Sequence, residues 1–73
     1  MIEWLPVSDS QRIVAEAYLA DREVIAVRFP DGTELEYQAC SLAVWAEFTA
    51  PGQSRGQYIS QVLDAKPNGP LTA

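Results

Sequence analysis

The segment from Val24 to Tyr37 constrains the fold of this chain more than any other. Two runs of alternating apolar and polar residues flank Pro30-Asp31-Gly32, the pattern of two strands folded back on one another through a tight turn. One face of the hairpin carries Ile25, Val27, Phe29, Leu35 and Tyr37; the other carries Ala26, Arg28, Glu34 and Glu36. With Pro30, Asp31 and Gly32 as the loop, Arg28 faces Glu34 across the strands. An antiparallel sheet with one dry face follows.

The rest of the chain is read around that hairpin. Residues 2 to 7 suit a short edge strand, where Pro6 is tolerated because an edge donates fewer ladder hydrogen bonds. Ser8-Asp9-Ser10 is a turn cluster. Residues 12 to 19 satisfy both periodicities. Ile13, Ala15, Ala17 and Leu19 alternate with Val14, Glu16 and Tyr18 as in a strand, while the alanines and Glu16 also suit a helix. We read a strand, because Asp21-Arg22 then turns it into the hairpin. Beyond Tyr37 the period lengthens. Ser41 is placed to cap a helix bearing Leu42, Val44, Trp45 and Phe48, which Pro51-Gly52 ends. Ser54 is placed to cap a second helix with Tyr58, Ile59, Val62 and Leu63 on one stripe. Pro67-Asn68-Gly69-Pro70 disfavours regular structure. The expected architecture is α+β, a three- to four-stranded antiparallel β-meander followed by two short helices packed on one sheet face. Residues 1–65 form the single domain, and 66–73 a flexible C-terminal tail.

With 73 residues the chain is near the lower limit for folding without disulfides or metal. Its two Trp, three Tyr and two Phe furnish one small core, into which both Trp4 and Trp45 are expected to pack. The thin margin leaves dimerisation as a second way to bury surface. Ten acidic residues against five basic ones give a net charge of −5. The cations Arg12, Arg22, Arg28, Arg55 and Lys66 are scattered, so nucleic acid is disfavoured as a partner, and an anionic membrane would repel the chain. The single Cys40 excludes an intrachain disulfide and suits a reducing compartment. There is no histidine, which removes the commonest base, metal ligand and activator of a nucleophile. No apolar run approaches the roughly 20 residues that span a bilayer, and residues 1 to 5 lack a basic n-region. A cytoplasmic protein is expected, with no cofactor and no metal.

The ordered pieces resemble the KTSC domain, a small family named for its occurrence at the C-terminus of some lysyl-tRNA synthetases and found also as short bacterial and phage proteins. The resemblance spans roughly residues 5 to 63. It rests on Val7-Ser8-Asp9-Ser10, then Ile13 and Tyr18, then Ile25 to Phe29 with Asp31-Gly32, then Leu35-Glu36-Tyr37. Its last piece is Ser54-Arg55-Gly56-Gln57-Tyr58-Ile59, similar to the family's Ser-x-Gly-x-aromatic signature. Cys40-Ser41 stands where the family usually has Val-Pro, Leu35 where it has an aromatic, and Gly52 where it has Ala. The resemblance implies a fold, a stand-alone bacterial or phage protein and, through the synthetase context, an RNA- or tRNA-associated accessory role as the alternative function.

The candidate contact residues are Ser54, Arg55, Gly56, Tyr58, Tyr18, Glu34 and Glu36. Ser54 to Gly56 offer free backbone N–H groups beside a guanidinium, the elements of a small anion site. Their structural account is a cap, a close approach and a core tyrosine. Glu34 and Glu36 lie about 7 Å apart on one strand face, as paired carboxylates or, more simply, as a solvated face with one ion pair. Glu16, Asp21, Glu23, Glu34 and Glu36 together could make an acidic outer surface that imitates a phosphate backbone, or merely keep the domain soluble. Cys40 has nothing to activate it and is expected to be buried. These features point to a non-enzymatic interaction module that binds a host or self protein through its acidic sheet face or its second-helix region.

Overall fold

A computed structural model describes residues 2–72. The hairpin is as its alternation requires. Strands β3 (Val24–Arg28) and β4 (Glu34–Tyr37) pair antiparallel, with Ile25 opposite Tyr37 and Arg28 opposite Glu34. The Gly32 N–H donates to the Phe29 carbonyl at 2.9 Å, and the Phe29 N–H donates to the Thr33 carbonyl at 2.8 Å. Gly32 sits at φ 91°, the left-handed position this three-residue loop needs. Asp31 Oδ1 accepts from the Thr33 N–H at 2.9 Å, which holds the Asp31 carboxyl below its ordinary pKa.

Of residues 12 to 19, residues 12–14 are irregular chain that leads into strand β2, Ala15–Leu19, which is paired to β3 through Glu16 opposite Val27 and Tyr18 opposite Ile25. The turn between them needs Glu23 at φ 52°. Strand β1 is only Leu5–Pro6 and lines the free side of β2.

The tail reading is corrected by the structure. Asn68–Pro70 forms a further strand, β5, antiparallel to β4 with Glu36 opposite Gly69, so the sheet has five strands in the order β1-β2-β3-β4-β5. Proline is tolerated there because an edge strand bonds on one side only. The Gln38 N–H donates to the Pro67 carbonyl and the Leu71 N–H to the Glu34 carbonyl. That alternation turns the missing N–H of Pro70 toward solvent. Pro6 has the same placement on the opposite edge, since the Val7 N–H is the next one bonded, to the Val14 carbonyl just before β2.

Both helices start where serine caps them. Helix α1 spans Leu42–Phe48, with Ser41 Oγ accepting from the Val44 N–H; α2 spans Arg55–Gln61, with Ser54 Oγ accepting from the Gln57 N–H. Between them Ala50 to Gln53 makes a turn closed at 3.0 Å, with Pro51 and then Gly52 at φ 83°, the type II arrangement. A 3-10 turn at Leu63–Ala65 leads toward β5. The helices cover one sheet face, and Ile13, Ile25, Val27, Tyr37, Phe48, Ile59 and Leu63 are sealed between them. Each such side chain contributes roughly 1.5–3 kcal/mol. Trp45 packs against this core from its rim. Trp4 does not enter it: its ring lies on the other side of the sheet, 4.5 Å from the Arg28 guanidinium carbon.

That outer face is drier than its sequence implies. Ala15, Ala17 and Ala26 are buried there, and so is Glu36, only 3% exposed. Cross-strand partners share a face, which also removes Glu16 from the outer surface. Standing opposite Val27, it points with Tyr18 toward the helices and is 4% exposed. No helix among the described residues is long and apolar enough to cross a membrane.

Candidate functional site

The helix-covered side brings together five of the seven candidate residues. A run of rings connects them. Tyr18 stacks on Trp45 with centroids 5.5 Å apart, Trp45 lies 6.2 Å from Phe48, and Phe48 lies 5.7 Å from Tyr58. Tyr18 anchors one end by donating its hydroxyl to the Cys40 carbonyl at 2.8 Å. At the other end the Tyr58 hydroxyl donates to Glu47 Oε1 at 2.8 Å. Burial, reinforced by that carboxylate, pushes the Tyr58 pKa up to about 12. Leu42, one helical turn before Trp45, is 67% exposed and leaves an apolar surface at this end of α1.

Arg55 is the hinge of the arrangement. Its Nε and Nη2 donate to the two oxygens of Glu16, each at 3.0 Å, and its guanidinium carbon lies 5.7 Å from the Phe48 ring centroid. Both side chains are largely sequestered, at 13% and 5% exposure. The paired carboxylate raises the Arg55 pKa above its ordinary value. A bidentate fork of this kind is the strongest form of charge-assisted hydrogen bonding. An anion at Ser54 to Gly56 would therefore compete with Glu16 for the guanidinium.

Around that buried pair lies an open groove of about 270 Å³ lined by Asp9, Ser10, Gln11, Arg12, Ser54, Arg55 and Gly56. The loop side is fixed by Ser10, whose Oγ accepts from the Arg12 N–H at 3.0 Å. Arg12 lays its aliphatic stem beside Gly56, where an added Cβ would sit 3.5 Å from Arg12 Cβ, and its Nη1 donates to Ser60 Oγ at 3.4 Å. Gly56 thus approaches the 8–12 loop rather than the sheet, and the space does not demand glycine.

Glu34 and Glu36 lie on the opposite sheet face and do not join this site. Glu34 Oε2 accepts from Arg28 Nε at 2.7 Å with both side chains about one-third exposed. Glu36 is a buried hub. Its carboxylate accepts from Arg22 Nη2 at 3.1 Å, from Gln38 Nε2, and from both the N–H and hydroxyl of Thr72. Burial pushes its pKa up, but Thr72, Arg22 and Gln38 outweigh that and hold it below the ordinary value. The solvated acidic pair expected from the sequence is replaced by one surface ion pair and one internal tether.

Cys40 is buried, as its strand-end position suggested. Its Sγ donates to the Tyr37 carbonyl at 3.3 Å, and burial raises the thiol pKa.

Among solved structures, a KTSC domain protein from Yersinia pestis superposes on 99% of this chain and 100% of its own length, with a TM-score of 0.85 at 19% sequence identity. The fold is KTSC-like. No family model matches the sequence, and a search of curated proteins finds no match. Within this KTSC-like fold the two motif segments that carried the resemblance, residues 7–10 and 54–58, border the same groove. Ser54 caps α2, Arg55 neutralises Glu16, and Tyr58 closes the ring series.

Sequence reasoning missed Glu16 as the partner of Arg55 and read Ser8 to Ser10 only as a turn. Register held the missing signal. Once Asp21-Arg22 turns β2 into β3, Glu16 must share a face with Val27, and a carboxylate there requires a buried cation.

Proposed function

We propose that the chain is a small non-enzymatic interaction module that binds a protein partner through the groove beside α2. The observation that supports this is the meeting of residues 9–12 with 54–56 around a floor whose charges already answer each other. The walls present Asp9, Ser10, Gln11 and Arg12, with one free carboxylate and one guanidinium that is in no ion pair among the described residues. Such a surface suits a polar protein segment carrying one charge of each sign. Leu42 and the Tyr18–Trp45 stack provide an apolar margin on the same side of the sheet.

Charge counting weighs against the RNA-associated alternative. Among the described residues, three ion pairs take three of the five cations and three of the ten carboxylates, leaving two against seven. Phosphate binding depends on cations free to displace counterions.

The test is site-directed photo-crosslinking in a bacterial lysate, with the reactive group at Gln11 in one sample and at Thr33, on the hairpin tip, in another. A discrete adduct from Gln11 alone is expected. Adducts from Thr33 alone, or a salt-steep gel shift with tRNA, would overturn the reading.

A further inference from the structure

The five strands are not held alike. In β2 and β3 most side chains are buried, whereas the three residues of β5 are exposed or half-exposed. What fastens β5 to β4 is backbone hydrogen bonding. The Gln38 N–H donates to the Pro67 carbonyl at 2.7 Å, the Leu71 N–H donates to the Glu34 carbonyl at 3.1 Å, and Glu36 and Gly69 are paired between them. Side chains add Thr72, whose N–H and hydroxyl both reach Glu36 Oε1 at 3.1 Å, and Lys66, whose Nζ donates to the Ala39 carbonyl at 2.9 Å.

We propose that the edge of β4 is an exchange seat, filled in cis by β5 and able to take residues 66–72 of a second copy of this chain, so that two copies form a strand-exchanged dimer. The bonds that hold residues 66–72 to β4 and its flanks are made by backbone groups, by Thr72 and by Lys66. None depends on which copy delivers the strand, so the exchanged dimer keeps these bonds and gives up only those inside the 3-10 turn, from the Ala65 N–H to the Val62 carbonyl and from the Lys66 N–H to the Leu63 carbonyl. The occupant follows from complementarity already present, since the segment seated on β4 is this chain's own.

The geometry of the connection favours release as a unit. Leu63 is fully buried and anchors the 3-10 turn. Lys66 leaves that turn already extended, at φ −90° and ψ 159°, because Pro67 follows it. Straightening the turn after Leu63 is therefore the main change required. Reciprocal exchange is closed by two-fold symmetry. With Pro70 still facing outward the dimer offers no new edge for a third copy. This inference concerns the sheet edge and stands independently of the groove.

Intramolecular seating wins until protein concentration approaches the effective concentration of a short tether, on the order of 1 mM. The full chain is therefore warmed into its unfolding transition at about 1 mM, cooled, and sized by light scattering after gel filtration. A dimer that survives dilution is expected. Mixing isotope-labelled and unlabelled chains before warming should give nuclear Overhauser contacts between Glu36 of one copy and Gly69 of the other. In a Leu35→Cys, Pro70→Cys variant, whose cross-strand pair is adjacent, oxidation of the dimer should yield a covalent dimer on a non-reducing gel. A chain that stays monomeric throughout overturns the proposal, and so does a dimer lacking the Glu36–Gly69 contact between copies. The second of these results would leave an interface at the groove untouched.

Discussion

Glu16 and Glu36 bury their carboxylates on opposite faces of one sheet, and they are kept there by different means. Glu16 is answered by a single side chain, Arg55, in a two-toothed pair roofed by Phe48. Glu36 is answered by four donors from three segments, Arg22 in the β2–β3 turn, Gln38 beyond β4, and the backbone and hydroxyl of Thr72. The first arrangement concentrates its energy in one partner and fails at a stroke. The second spreads it, so the loss of any one donor leaves the others in place.

The largest expected effect follows from that concentration. Replacing Glu16 with Ala strands a buried guanidinium and should cost about 3–5 kcal/mol. Glu16→Leu combined with Arg55→Met, which removes both charges and keeps the volume, should recover most of the loss. Urea denaturation of the three proteins measures both effects. A Glu16→Ala loss below about 1 kcal/mol would mean the pair is no better than an exposed one.

Glu36→Gln should cost less, about 1–3 kcal/mol, because some donors still find an acceptor. Its signature is pH dependence. The folded-state pKa of Glu36 lies below its unfolded value. Its contribution is therefore complete above the unfolded carboxyl pKa, near 4.3, and is lost as pH falls through the folded value. The stability difference between the wild type and Glu36→Gln should be flat at neutral pH and shrink in acid. A difference that does not change between about pH 7 and pH 3 would show that the carboxylate charge is not what holds Thr72.

The smallest effect belongs to Glu34. Its pair with Arg28 is about one-third exposed, so Glu34→Gln should cost under 1 kcal/mol, and moderate salt should erase even that. A larger loss would mean that Trp4, resting over Arg28, depends on the pair for its position.

The parts of the fold legible in the sequence were those set by local rules. The 24–37 hairpin, the Ser41 and Ser54 caps and the Pro51-Gly52 turn each follow from a few neighbouring residues, and each is found in place. What escaped depends on distant contacts. Strand β5 has proline and glycine at every position but Asn68, and nothing local marks it as a strand. It exists because β4 has an open edge within reach of residue 67. The burial of Glu16 and Glu36 was hidden for the same reason, since alternation tells which face a carboxylate occupies and not what lies over it. At the candidate site Ser54, Arg55 and Tyr58 were identified from their motif. The opposite wall, Asp9 to Arg12, came only with the tertiary fold.

The separation of Trp4 and Trp45 has a practical consequence. One indole rests over a guanidinium on one side of the sheet, and the other is stacked on a phenol on the far side. The molecule therefore carries two built-in fluorophores, each reporting on a different surface. Replacing either with Phe would leave a single emitter, able to tell which side of the sheet an added compound approaches.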